Sequence, residues 1–141
     1  MTEVIVDRCA ASVGVASPPF VCSWHAVGLS AGWVEVTGEL DLATSPQLRQ
    51  TLRKALQVVR LVVLDLRDLS FIDASGIHVI LDVAGEARRD GDQLLIVRGP
   101  AQIDRLLTLT AVGRHVPIID LTSTEPAPAL LHAFPPGSAA A

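Results

Sequence analysis

Residues 61–81, LVVLDLRDLSFIDASGIHVIL, decide the fold of this chain. The stretch opens with LVVLDL, a nearly all-apolar run that is typical of a strand covered on both faces. Asp73, Ser75 and Gly76 then break the apolar pattern, and a second apolar run follows at helical spacing. The stretch therefore predicts a buried strand, a polar loop and an amphipathic helix over 75–89 that begins at these polar residues.

Strands and helices alternate on both sides of this stretch. Apolar patterns predict strands, the first two joined as a hairpin, at 20–27, 32–41, 93–98 and 116–120. Helical spacing predicts further helices at 42–59, 100–110 and 126–134. Thr44 and Gln47 are spaced as a capping box at the start of the first of these helices. The order ββαβαβαβα predicts an α/β fold: a mixed sheet with an N-terminal antiparallel hairpin, right-handed crossovers, and helices packed against the sheet.

The length of 141 residues indicates a single domain, which we expect to span 20–134. Residues 1–19 have no clear period and end in the breaker SPP, so they are either a mobile arm or an extra edge strand. Residues 135–141, PPGSAAA, are typical of a disordered tail.

Charge and hydropathy restrict the partners. With a net charge of −4, the chain lacks the clustered Lys/Arg stripe that a nucleic-acid backbone requires. Residues 9–34 are uncharged, but their Pro, His, Ser and Gly residues prevent the run of about 20 apolar residues that a spanning helix needs. A signal peptide is also not indicated, because acidic residues stand where a basic region belongs. We expect a cytoplasmic protein that binds neither nucleic acid nor membrane.

Residues that commonly bind metals or catalyse reactions are sparse. Cys9 and Cys22 form no CxxC pair and are expected to be reduced thiols, with a disulfide between them as the alternative. The four histidines lie far apart, so no metal site is expected. Asp73, Ser75 and His78 are the residue types of a hydrolase triad, but no G-x-S-x-G elbow is present and the Asp comes from the same segment. We therefore expect a protein that is not an enzyme.

Three segments together resemble a known family. They are VEVTGELDLATSPQL at 34–48, the stretch at 61–81, and DQLLIVRGPAQIDRLLTLTAVGRHVPI at 92–118. In order and spacing, over about 20–121, the chain resembles the STAS domain, specifically the stand-alone bacterial anti-sigma factor antagonists. The likeness does not extend to the first 19 residues or to the tail.

The resemblance implies a switch between protein partners. Such proteins bind an anti-sigma factor that is also a serine kinase, which releases the sigma factor. The kinase phosphorylates the Ser of Asp-x-Ser-Gly, the complex separates, and a phosphatase resets it. By position that serine is Ser75, with Asp73 and the Asp41 of GELD as its acidic neighbours. The kinase brings ATP and magnesium, so no cofactor is implied for this chain. The alternative is a sensor or scaffold that binds a nucleotide or a protein without phosphorylation.

The residues themselves leave alternatives open at this site. The unpaired N–H groups and the dipole of a helix start favour a phosphate on Ser75, and Gly76 leaves room for a kinase to approach. Alternatively, Ser75 or Asp73 is only the helix N-cap, and Asp41 only closes a turn.

Candidate partner contacts lie further along the same predicted helix, at Ile77, His78, Val79 and Val83. We expect His78 to be exposed near the serine. The apolar members form either an exposed ridge for the partner or one side of a broadly buried helix.

Overall fold

A computed structural model describes residues 7–11 and 19–121. The elements in chain order are β1 (Asp7–Ala11), β2 (Phe20–Val27), β3 (Ala31–Leu40), α1 (Ser45–Val58), β4 (Leu61–Asp65), β5 (Leu69–Ile72), α2 (Ala74–Arg89), β6 (Gln93–Val97), α3 (Ala101–Leu109), a 3-10 turn (Val112–Arg114) and β7 (Ile118–Ile119). The predicted α/β fold is confirmed. The helix predicted at 126–134 and the tail lie outside the described residues, and the proposed domain boundaries stay a prediction.

The sheet is mixed, with strand order β1-β2-β3-β4-β6-β7. β2 is antiparallel to both of its neighbours, β1 and β3, so β2 and β3 form the predicted hairpin and part of the segment 1–19 forms an edge strand. β3, β4, β6 and β7 are parallel. Parallel strands require crossovers, which α1, α2 and α3 provide.

β3 pairs with two strands in succession, and its pairing with the second contains a register shift after Gly38. The first part of β3 pairs with β4, and the part from Gly38 to Leu40 pairs with β5. Gly38 has φ +89°, and a Cβ there would lie 2.8 Å from the Pro19 carbonyl oxygen. Glycine is needed here because the bend combines left-handed backbone with close approach of another chain segment.

The hydrophobic core lies mainly between the sheet and the helices. Alternate residues of the central strands, such as Val62 and Leu64 of β4, pack into this cluster with α1 and α2. Val63, between them, belongs to a second cluster on the other face of the sheet, together with Trp33. Burial on both faces explains why β4 reads as one continuous apolar run.

Two local expectations were wrong. The segment LSFI was not predicted as a strand, yet it forms β5; only its end residues Leu69 and Ile72 are buried, so it has no strand period. The predicted capping box is absent, because the Thr44 hydroxyl donates to the Glu39 carbonyl oxygen at 2.9 Å and no side chain caps α1.

Candidate functional site

Two acidic loop residues meet where β3 and β5 end. Leu40 and Ile72 are the last register pair of these parallel strands. The next residues are therefore Asp41 and Asp73, and the Asp73 amide donates to the Leu40 carbonyl oxygen at 3.1 Å. The pairing of β5 with β3, which the sequence did not reveal, thus places the two acidic residues expected near Ser75 at the ends of neighbouring strands.

Asp73 is the N-cap of α2. Its Oδ1 accepts from the Ser75 amide at 2.8 Å and from the Gly76 amide at 3.4 Å. Ser75 is the second residue of the helix and is partly exposed. Within the described part of the chain, its hydroxyl has no hydrogen-bond partner. Of the two capping alternatives, the structure assigns the cap to Asp73, so the serine hydroxyl is not used for this purpose.

Asp41 organises the turn into α1. Its Oδ1 accepts from the Ala43 amide at 3.0 Å and the Thr44 amide at 3.1 Å. In return, the Thr44 hydroxyl accepts from the Asp41 amide at 2.9 Å. This carboxylate therefore closes a turn, as one of the two expectations held, and in doing so it is fixed beside the start of α2.

Gly76 is buried and is required by packing. A Cβ at this position would lie 2.7 Å from Leu40 Cδ2 and 2.9 Å from Ile72 Cγ1, distances that real Cβ atoms do not show. The expectation that Gly76 leaves room for an approaching kinase was wrong, because this face of the helix is turned toward the ends of β3 and β5.

The expected apolar ridge is not on the surface. Ile77, Val79 and Val83 are all buried in the main core, and only His78 among the candidate contacts is exposed. The reason is that α1 covers a second side of α2. Their outer edges are joined by two ion pairs, Arg49–Asp82 at 3.0 Å and Arg53–Glu86 at 2.6 Å.

Side chains of α1 contribute to the surface around Ser75. A groove of about 980 Å³ runs along α1 and reaches the first turn of α2, where Ser75 and His78 line it. The α1 residues lining it are mostly polar and include Arg49, Gln50, Arg53, Lys54 and Gln57. They lie outside the main apolar stripe of α1, and a solvated helix face is the ordinary interpretation of such residues, so this contribution could not be predicted from the sequence.

Apolar side chains near the site come from the loops and not from α2. Leu42, directly after Asp41, is 76% exposed and lines the groove. Phe71, two residues before Asp73, is 46% exposed. Exposed apolar side chains close to a polar site are candidate contacts for a partner. They are detectable in the structure only, since in the sequence both belong to apolar runs.

The electrostatics of the groove edge are set by the ion pair of Arg53. This guanidinium donates two hydrogen bonds to Glu86, at 2.6 and 3.0 Å. The bonds hold the pKa of Glu86 below its usual range and raise the pKa of Arg53. Both groups are therefore charged at neutral pH.

In the parts of the chain that the structure describes, His78 forms no hydrogen bond to Ser75 or Asp73, and no cluster of His, Cys, Asp and Glu side chains is arranged to hold a metal ion. No helix among the described residues is long and apolar enough to span a membrane. The candidate site thus consists of Ser75, whose hydroxyl does not cap the helix, the groove that Ser75 lines, and two nearby acidic residues that hold the local backbone.

This fold and this site define a single-domain α/β protein with a surface serine at the start of its second helix. The STAS domain family model matches residues 29–125, and the chain belongs to this family, as its motifs predicted.

Relatives and solved structures agree with this assignment. The "Anti-sigma F factor antagonist" of Paenibacillus polymyxa is 32% identical over 89 residues, which are 62% of this chain and 76% of that protein. The anti-sigma factor antagonist SpoIIAA in its unphosphorylated form has a TM-score of 0.65 at 19% identity, over 79% of this chain and 95% of its own. The phosphorylated form of the Bacillus cell fate determinant SpoIIAA has a TM-score of 0.58 at 19% identity, over 72% and 92%.

Proposed function

We propose that this chain is a cytoplasmic anti-sigma factor antagonist that is inactivated by phosphorylation at Ser75. In its unphosphorylated form it binds an anti-sigma factor with serine kinase activity, which releases the sigma factor. A phosphatase acting on phospho-Ser75 restores binding. The name of the Paenibacillus relative supports the first part, and the existence of SpoIIAA in two phosphorylation states supports the second.

One observation carries the proposal: the hydroxyl of Ser75 is accessible and is not engaged in capping. Asp73 satisfies the first amides of α2, so the serine can react without loss of the cap. In the transfer step, Ser75 Oγ forms a bond to the γ-phosphorus of ATP while the bond from that phosphorus to the bridging oxygen breaks. ADP leaves with the electron pair, and the hydroxyl proton passes to a base of the kinase.

The phosphate would change the surface far more than the fold. It adds roughly −1.5 to −2 charges at a point that already lies beside the carboxylates of Asp41 and Asp73. A partner that covers this surface must then bury a dianion near two further negative groups. Each ~1.4 kcal/mol lost weakens binding tenfold, so repulsion and desolvation suffice to separate the complex without a change of conformation.

The proposed contact surface consists of the exposed groups around Ser75. It includes Leu42 and Phe71 as apolar anchors, His78 on the first turn of α2, and the adjoining groove. Ile77, Val79 and Val83 are left out because they are buried.

The test is a pull-down from host lysate with four baits: wild type, Ser75→Ala, Ser75→Asp and Thr108→Asp. The last variant adds the same charge at an exposed position on α3 and serves as the matched control. We expect an ATP-binding protein to be retained by all baits except Ser75→Asp, and to phosphorylate wild type but not Ser75→Ala in the presence of Mg-ATP. Equal retention by Ser75→Asp and wild type would contradict the switch and favour the scaffold alternative.

A further inference from the structure

Strand register places the two cysteines of the chain directly opposite each other. β1 pairs with β2 in antiparallel register, with Cys9 opposite Cys22. Opposed residues in such a pair lie on the same face of the sheet with Cα atoms about 4.5 or 5.5 Å apart. Disulfides span Cα separations of about 4.4 to 6.8 Å. Either type of pair therefore meets the backbone requirement for a disulfide.

We propose that Cys9 and Cys22 form an intrachain disulfide under oxidising conditions, which fastens the edge strand β1 to β2. The sequence left this pairing as the minor alternative because the chain is too large to need a disulfide framework and the cysteines form no CxxC motif. The register, which depends on β1 forming an edge strand, is what brings them together. The proposal is independent of the proposed phosphorylation, since β1 lies outside the site around Ser75.

The oxidant is a small disulfide of the class of oxidised glutathione. The thiolate of one cysteine attacks a sulfur of the oxidant, so a mixed disulfide forms and one reduced glutathione leaves. The other cysteine thiolate then attacks the protein sulfur of the mixed disulfide and releases a second glutathione. In total, the two cysteines lose two protons and two electrons, and one oxidised glutathione becomes two reduced molecules.

The location of Cys22 determines how the bond forms. Cys22 is buried in the main core between Phe20 and Trp24, the neighbouring inward-facing residues of β2. Buried thiols react slowly, so exchange proceeds when β1 separates from β2 or while the chain folds. Once formed, the bond closes a short loop and prevents β1 from detaching. Oxidation would thus protect this edge of the sheet from opening.

The experiment measures the effective concentration of the pair in the full-length chain. Wild type is brought to equilibrium in buffers of defined ratios of reduced to oxidised glutathione, both in native buffer after refolding and in concentrated guanidinium chloride. Samples are quenched with acid, alkylated and weighed by mass spectrometry, where the disulfide lowers the mass by about 2 Da relative to the dithiol. Cys9→Ser and Cys22→Ala each remove one partner. Cys9→Ser is the main control, since it changes the edge strand and leaves the core residue in place.

If the native register brings the pair together, the effective concentration is at least about tenfold higher in native buffer than in denaturant. Peptide mapping then finds residues 9 and 22 in one cross-linked peptide, and neither variant forms it. An effective concentration equal to or below that of the denatured chain would overturn the proposal, as would two separate glutathione adducts in place of the internal bond.

Discussion

Gly76 provides the sharpest test of the packing at the site. In Gly76→Ala, the new Cβ would lie 2.7 Å from both Leu40 Cδ2 and Leu40 Cγ, and 2.9 Å from Ile72 Cγ1. Both neighbours are buried in the core, and Leu40 Cγ is not the flexible end of its side chain, so the helix or the strand ends must move. Overpacking of this kind typically costs about 1 to 3 kcal/mol.

Alanine also has a higher helix propensity than glycine, and a control variant is needed to correct for this stabilising effect. Replacing a helical glycine with alanine stabilises a helix by about 1 kcal/mol, which would hide part of the packing cost. Gly85 lies in the same helix, and a Cβ there meets only the Arg89 side chain, at 3.6 Å. Gly85→Ala should therefore be stabilised by the higher helix propensity of alanine without a packing cost. The difference in unfolding free energy between Gly85→Ala and Gly76→Ala isolates the overpacking cost, and we expect about 1 to 3 kcal/mol.

The assay is urea unfolding followed by the fluorescence of Trp24 and Trp33, which are both buried. We expect the midpoint to rise for Gly85→Ala and to lie clearly below it for Gly76→Ala, with unchanged denaturant dependence. If the two variants unfold at the same urea concentration, position 76 tolerates a side chain, and the packing explanation for this glycine is refuted.

Two further predictions concern the groove and its edge. In Arg53→Gln the pKa of Glu86 rises toward its ordinary value, which NMR titration of the carboxyl carbon would detect. In wild type this pKa is lower in the folded state than in the unfolded state. The ion pair therefore stabilises the fold at pH values above the pKa that Glu86 has in the unfolded chain, and this stabilisation is lost as the pH falls through the pKa of Glu86 in the folded protein. A stability difference between wild type and this variant that grows on acidification would contradict the assignment. Leu42→Ser, at a 76% exposed position, leaves the unfolding free energy within about 0.5 kcal/mol of wild type but weakens retention of the proposed kinase in the pull-down; Leu109→Ser, at a 75% exposed position on α3, changes neither. Equal retention by the two leucine variants would remove Leu42 from the contact surface.

Much of the fold was predictable because it is encoded locally. The apolar run of β4 and the apolar stripe of α2 each indicate their structure within a few residues, and the alternation of such segments restricts the topology. β5 was not predictable in this way. Its two buried residues are separated by Ser70 and Phe71, which are both exposed, and among the described strands it pairs only with the end of β3.

The site was predicted in part, for reasons that particular residues make clear. Ser75, Asp41 and Asp73 could be proposed as site residues because they belong to short motifs whose order is visible in the sequence. The apolar ridge was wrong because the burial of Val79 and Val83 depends on α1, a helix more than twenty residues earlier. A helical period shows that a face is apolar but not which element covers it.

The division of roles between Asp73 and Ser75 has a consequence for how a phosphate would act. Capping is done by a carboxylate that is two residues before the hydroxyl and bonds the amides of Ser75 and Gly76. A phosphate on Ser75 gains from the positive end of the helix dipole and loses through repulsion from Asp73. These two effects act within the same turn and oppose each other, so we expect the phosphate to change the stability of the domain less than either effect alone would.

No such compensation exists for a partner on the outer side of Ser75. That partner must desolvate the phosphate, while the favourable helix amides are already occupied by Asp73. We therefore expect phosphorylation of Ser75 to affect binding more than folding. A serine that capped its own helix could not provide this separation, because its modification would disturb the cap and the fold together.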